Sequence, residues 1–324
     1  MNKTDIELSK FIKSEALKVG FHACGISRAD SVDKDHSDWF DNWLNAGYHG
    51  DMEYLTKNRE KRYNPTLLFE NCKSVISVAL NYYPDKKIDK KKLHMATFAY
   101  SVDYHAVVKE LLYSLLDKIR LRLESEGKKI NGRAFCDSAP LTERFWAWKS
   151  GLGWIGKNHC FIIPDAGSYF FLGELLVDIE LATDSPIKTG CNECDACLKA
   201  CPTKALSANY KSQKYHNFDS RLCLSYLTIE YKEHLTRDQG ISLQNCFLGC
   251  DICQEACPHN RKAKPTTIKK LLPNRNLLYL KNEDWKTLSE ERFNKLFYNS
   301  TVKRVGFKKL SDNIAQARYF TDKE

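Results

Sequence analysis

Nine of the thirteen cysteines of this chain fall between Cys191 and Cys257, in a spacing that holds metal clusters. Cys191, Cys194, Cys197 and Cys201, followed by Pro202, spell C-x2-C-x2-C-x3-C-P. In such a run three thiolates converge on one 4Fe-4S cluster, and the fourth, set off by proline, turns to another. Cys250, Cys253 and Cys257 before Pro258 repeat the run without its leading cysteine. Two clusters need eight thiolates, and the runs supply seven. Cys223, in the apolar segment RLCLSYLTIE, and Cys246, just ahead of Cys250, both qualify as the eighth, and spacing does not choose between them. Crossed pairing gives Cys191, Cys194, Cys197 and Cys257 to one cluster. It gives Cys201, Cys250, Cys253 and one of the two candidates to the other. Structural zinc also uses C-x2-C pairs, but it takes four ligands per ion and rarely uses this run twice.

The other candidates for chemistry are single residues or weak patterns. Gly151, Gly153 and Gly156 read G-x-G-x-x-G. A helix is expected before them and a strand after, the reverse of a dinucleotide fingerprint. Asp137 ends an expected strand at the mouth of that loop. It reads either as a helix cap or as a buried carboxyl with a raised pKa, able to donate a proton. Arg62, in NREKRYNP, has the fork that grips phosphate, although an arginine before a turn is commonly a surface residue. No histidine pair has ligand spacing and no D-x-H-x-x-G run occurs. Cys24, Cys72, Cys136 and Cys160 stand alone in apolar surroundings and read as core.

These groups need a scaffold, and 324 residues with 43% hydrophobic content are enough for about two domains with real cores. The first half alternates expected helices (to Val19, Val107–Leu123) with expected strands (Phe21–Ile26, Ser74–Leu80, Lys129–Cys136, His159–Ile163, Tyr169–Leu181). Pro140 suits the first turn of a further helix ending at Gly151. The fold expected is α+β: an N-terminal sheet domain of α/β character over 1–183, a two-cluster ferredoxin-like domain over 184–264, and a basic helical segment over 265–324. Asn282–Phe297 is its clearest helix. No run of 18 apolar residues occurs. The charged amphipathic start is no signal peptide. Unpaired cysteines in such a chain point to a reducing cytoplasm. From Arg261 to Glu324, 16 Lys and Arg face 7 Asp and Glu, a balance of +9 that equals the whole chain's net charge. A basic end on a neutral body suits a polyanion such as nucleic acid, or is simply a solvated helical face.

DSAPLTERFWAWKSGLGWIGKN, CNECDACLKACPTKAL, RLCLSYLTIE and GCDICQEACP, with EKRYNP and NSTVKRVGF, resemble the blocks of the epoxyqueuosine reductase family over nearly the whole chain. The resemblance implies reduction of the epoxide of epoxyqueuosine, at the wobble position of tRNA, to queuosine. Electrons would pass from an external donor through two 4Fe-4S clusters to cobalamin, with Asp137 as proton donor. It implies Cys223 as the eighth ligand. It also implies cobalamin contacts from Arg62, Asp137, Phe161, Leu172, Ser225, Cys250 and Asp251. Lys303, Arg304, Lys308 and Lys309 are then expected along the path of the anticodon stem-loop. The chain would be a short, monomeric form without the helical-repeat domain of longer members. Two other readings fit parts of the sequence. A dehalogenase-like corrinoid reductase of a small molecule would not need the basic end. A two-cluster electron carrier would not need some 180 residues ahead of the clusters.

Overall fold

The structure, a computed structural model, describes residues 3–206 and 218–317. At its centre lie four strands, β1 (Ala23–Arg28), β2 (Ser74–Asn81), β3 (Gly132–Phe135) and β4 (Phe170–Val177), in spatial order β1-β2-β4-β3. Every pairing is antiparallel, with Ser77 opposite Gly25 on one side and Glu174 on the other. Helix and strand alternate along the chain, yet no parallel crossover forms in this sheet, and the class is α+β. The two central strands are buried almost end to end because helices cover both faces. On one face the Lys3–Val19 and Tyr104–Glu124 helices pack Ile12, Leu112, Leu115 and Leu116 against Ile76 and Val78. On the other the short Glu143–Lys149 helix sets Phe145 and Trp146 against Val75 and Leu176.

A second core joins three stretches of sequence. Leu93, Met95 and Tyr100 meet Leu224, Leu227 and Phe247, together with Trp285, Phe297, Leu310 and Ile314. A short parallel ladder between His94–Met95 and Cys246–Leu248 stitches the first half of the chain to the cysteine region. The segments on either side of the expected boundary at 264/265 therefore share one interior. Among the described residues no helix is long and apolar enough to cross a membrane.

Several expected elements are shorter than their apolar runs. The Tyr169–Leu181 run pairs only over Phe170–Val177, and His159–Ile163 contributes the Phe161–Ile162 rung against Trp154–Ile155 and a single bridge from Ile163 to Gly167. The expected helix Asn282–Phe297 breaks into Asn282–Lys286 and Glu290–Leu296, because the Ser289 side chain caps the second piece. The helix expected from Pro140 begins only at Glu143, so Asp137 and Ser138 are not its caps.

The glycine run is explained by packing. Gly151 has φ +74°, and a Cβ on Gly153 would stand 2.0 Å from the Ile162 carbonyl oxygen. This is a tight turn with close backbone approach, not a nucleotide cradle. Gly153→Ala is expected to cost about 1–3 kcal/mol of stability, read from the midpoint of denaturant unfolding. An unshifted midpoint would contradict this role for the turn.

Candidate active site and cysteine centres

Asp103 caps the long Tyr104–Glu124 helix, and its Oδ1 accepts the His105 amide at 2.9 Å. The same oxygen meets His105 Nδ1 at 2.6 Å. The other ring nitrogen, Nε2, faces Asp137 Oδ2 at 3.0 Å, and the Tyr104 hydroxyl donates to that oxygen, also at 3.0 Å. A histidine held between two carboxylates holds its proton more tightly. Its pKa lies above the ordinary value, first through the Asp137 hydrogen bond, with burial opposing. Tyr104 is fixed by stacking on Phe171, centroids 3.9 Å apart, and burial pushes its hydroxyl pKa well up.

Asp137 itself departs from the sequence expectation. It is not a buried acid with a raised pKa. About half of its side-chain surface (52%) is accessible on a cavity wall. The His105 hydrogen bond holds its carboxyl below the usual range against a desolvation penalty, with Tyr104 and Arg304 helping. It sits in the left-handed region, φ +56°, two residues past β3, and its amide donates to Glu143 Oε1. Glu143 is the acid of the site whose pKa is raised. Burial, with the Asp137 charge adding, pushes it up to about 8. Glu174, fully buried on β4 beneath it, is raised further by burial and by Glu143.

These residues stand where two cavities meet. The larger, about 870 Å³, is walled by Trp39, Phe40 and Trp43 of the Lys34–Asn45 helix and by Arg62, Thr142 and Arg144. The smaller, about 430 Å³, is walled by Tyr298, Asn299, Ser300, Lys303 and Glu230. Tyr54, His105, Asp137 and Arg304 belong to both. Arg62 is buried, its guanidinium 5.6 Å from the Phe40 ring centroid, and its Nε lacks a hydrogen-bond partner, as does the buried Thr142 hydroxyl. Aromatic walls with unspent buried donors suit a large, flat, polar-edged ligand.

The other expected contacts lie off these walls. Phe161 and Leu172 pack with Ala79 and Ala147 in an apolar cluster. Ser225 is half-buried in the Leu224–Ile229 helix, and Asp251 accepts the Thr97 amide at 2.8 Å. Of the four basic residues, Arg304 pairs with Glu230 at the cavity junction. Lys303 sits over the exposed Tyr298 ring and Lys309 over Tyr231, while Lys308 is exposed.

Cys191, Cys194, Cys197 and Cys257 line one small recess beside Lys157 and Asn158. Trp154 Nε1 approaches Cys191 Sγ at 3.4 Å. Cys201, Cys223, Cys250 and Cys253 form the second group, each close enough to feel another's charge. Cys246 instead turns its thiol onto the Leu248 and Gly249 carbonyls, the nearer at 3.4 Å. Cys160, expected in the core, lies beside Cys253. Among the described residues no three His, Cys, Asp or Glu are arranged to hold a single ion.

Two cysteine quartets, together with a cavity that holds a proton-binding trio, are the features of an iron–sulfur oxidoreductase. A family model described as "Epoxyqueuosine reductase QueG, DUF1730" matches residues 62–138, and one for a 4Fe-4S double cluster binding domain matches residues 190–260. The epoxyqueuosine reductase of Leadbetterella byssophila is 40% identical over 95% of this chain and 98% of its own, and that of Escherichia coli 36% identical over 96% and 80%. A crystal structure of epoxyqueuosine reductase with a tRNA-Tyr epoxyqueuosine-modified stem loop matches with TM-score 0.83 at 26% identity, covering 97% of this chain and 82% of that one. The chain belongs to the epoxyqueuosine reductase family.

Reasoning from sequence alone missed Asp103, Tyr104, His105 and Glu143. The one local signal was D-Y-H at the start of the long helix, where an aspartate cap brings a histidine two residues on into reach.

Replacing Cys223 with Ala is expected to remove about half of the bound iron, whereas Cys246→Ala keeps it. Iron analysis and visible absorbance of anaerobically prepared protein distinguish the two. Loss of iron in the Cys246 variant alone would reverse the assignment.

Proposed function

We propose that this chain reduces the epoxide of epoxyqueuosine, at the wobble position of a tRNA, to the alkene of queuosine. The observation that carries the reading is the Asp103–His105–Asp137 arrangement at the junction of two cavities, one aromatic and one opening onto a basic rim. The aromatic cavity suits a corrinoid, held by Arg62 and the walls around it, with Phe161, Leu172, Ser225, Cys250 and Asp251 as the further contacts that family resemblance suggests. Cobalamin, when bound, would supply a metal centre able to carry reducing electrons to a strained ring. The cysteine quartets, Cys191, Cys194, Cys197, Cys257 and Cys201, Cys223, Cys250, Cys253, would hold the clusters that supply electrons singly, and an external donor must fill them.

The chain's own residues handle the proton. Asp137 is held ionised, and His105, between two carboxylates, keeps its proton to higher pH than a free imidazole. As oxygen leaves the epoxide, Asp137 would pass it a proton and draw one from His105, while the Asp103 carboxylate steadies the ring. Tyr104 holds the shared oxygen of Asp137 in place. General acid help of this kind is worth about 10²–10⁴-fold. The modified base, splayed from the anticodon loop, would enter the smaller cavity past Tyr298 and Asn299. Lys303, Arg304, Lys308 and Lys309 would meet the flanking phosphates.

Asp137→Asn should retain both clusters and the corrinoid while turnover falls about 10²–10⁴-fold. In the unaltered enzyme kcat/KM should decline as pH rises through the His105 pKa, which lies above its ordinary 6.5. His105→Gln should flatten that limb. A normal rate in the Asp137 variant would remove it from the reaction.

Charge reversal at Lys303, Arg304, Lys308 and Lys309 should weaken binding of the modified stem-loop and reduce its salt slope by up to about 3 in log–log units. Unchanged affinity and slope would move the RNA path elsewhere.

A further inference from the structure

We infer that Glu143 is a positioning residue, a latch whose side-chain oxygen takes the Asp137 amide proton and so fixes the Asp137 carboxyl against Tyr104 and His105. The need for a latch follows from the backbone. Asp137 has φ +56°, which L-residues disfavour. The segment from Cys136 to Thr142 belongs to neither ladder nor helix. Its backbone bonds are tight i-to-i+2 closures, from Ser138 to Cys136, Leu141 to Ala139 and Glu143 to Leu141. Such a turn has little of its own to keep one conformation.

Glu143, by contrast, is rigidly carried. It is the first residue of a helix whose Phe145, Trp146 and Ala147 are fully buried against the sheet. The anchor is thus fixed and the anchored turn strained. The side-chain bonds to Asp137 Oδ2 come from the start of another helix, so the turn is gripped from two elements at once. A carboxyl can accept an N–H in either protonation state. Raised as it is by burial, Glu143 can therefore serve whether or not it carries a proton.

The inference rests on Asp137 having the role proposed above, but its test does not rest on turnover alone. Amide hydrogen exchange of the segment from Phe135 to Thr142 is measured in unaltered protein, Glu143→Gln and Glu143→Leu, without RNA. Glutamine keeps an acceptor oxygen and leucine does not. The Asp137 amide should be protected in the first two and exchange about tenfold faster or more in the third. kcat on the modified stem-loop should fall about 10–100-fold in Glu143→Leu, with RNA affinity unchanged, and stay within about threefold in Glu143→Gln.

An Asp137 amide in the unaltered chain that exchanges as fast as an open loop would overturn the latch, even if the leucine variant fails to fold. So would a leucine variant with normal kcat. Protection lost in Glu143→Leu, in a protein that never turns over the modified stem-loop, would support the latch and count against the proposed reaction instead.

Discussion

One oxygen atom, Asp103 Oδ1, sets the geometry of the site. It accepts the first free amide of the long helix and the imidazole of His105 together, while the Asp103 amide donates to the Asn299 carbonyl at 2.8 Å. Helix start, ring orientation and the cavity rim from the C-terminal segment are therefore fixed at one residue. An N-cap is worth about 1 kcal/mol to a helix, a modest sum for stability. Its larger consequence is positional, because the long helix is locked to the sheet by Leu112, Leu115 and Leu116 and cannot rotate to present another residue. His105 faces Asp137 because the core leaves it no alternative.

The antiparallel sheet supplies the other half of the arrangement. β3 pairs only with β4, at the sheet's edge, and ends at Phe135. Edge placement lets the following residues leave the sheet as an irregular turn at the cavity wall, where a left-handed aspartate can sit. Behind it the sheet is dry. Glu174 lies between apolar neighbours on β4 with no hydrogen-bond partner for either oxygen, so burial raises its pKa and disfavours its charged form. Burial raises Glu143 as well, so the carboxyls bonded to His105 are those of Asp103 and Asp137. Two carboxylates about one imidazole make a site that holds a proton firmly.

How much of this could be read in the sequence follows from how local each interaction is. Cluster cysteines are legible because a cluster fixes its ligand spacing within a dozen residues, and the two runs announce themselves. The eighth cysteine is not, since neither Cys246, just ahead of Cys250, nor the more remote Cys223 completes the spacing of the run. Only the fold adds that the Cys246 thiol, though near Cys250, bonds to nearby carbonyls, while Cys223 lies near Cys201, Cys250 and Cys253. Apolar periodicity located the central strands and the long helix, stopping short of the ends of that helix and of β2 and overrunning those of β4. Tyr169–Leu181 runs past the residues that pair because Ile179 and Leu181 still pack against the core, while their backbone is held by the Ser74 hydroxyl and not by a strand. The character of Asp137 was misread for a related reason. A pKa is set by partners in space, and those partners come from the start of a helix some thirty residues earlier. Read alone, an aspartate after a strand looks like a cap or a buried acid, and it is neither.

The basic C-terminal segment has two electrostatic roles that pull against each other. Arg304 spans the cavity junction, where it lowers the Asp137 pKa and is itself held by Glu230. A cation there favours the ionised carboxylate and so opposes proton release to the substrate from Asp137 at rest. The same cation, beside a leaving oxygen, would stabilise the negative charge that develops as the ring opens. These demands are reconciled if the proton is stored on His105 and merely passes through Asp137, because the histidine is then the group that must stay charged. Arg304 acts on the Asp137 carboxylate, to which His105 is hydrogen-bonded. In the proposed reaction that ordering, cation then carboxylate then imidazole then carboxylate, would let one rim attract phosphate without expelling the proton the reaction consumes.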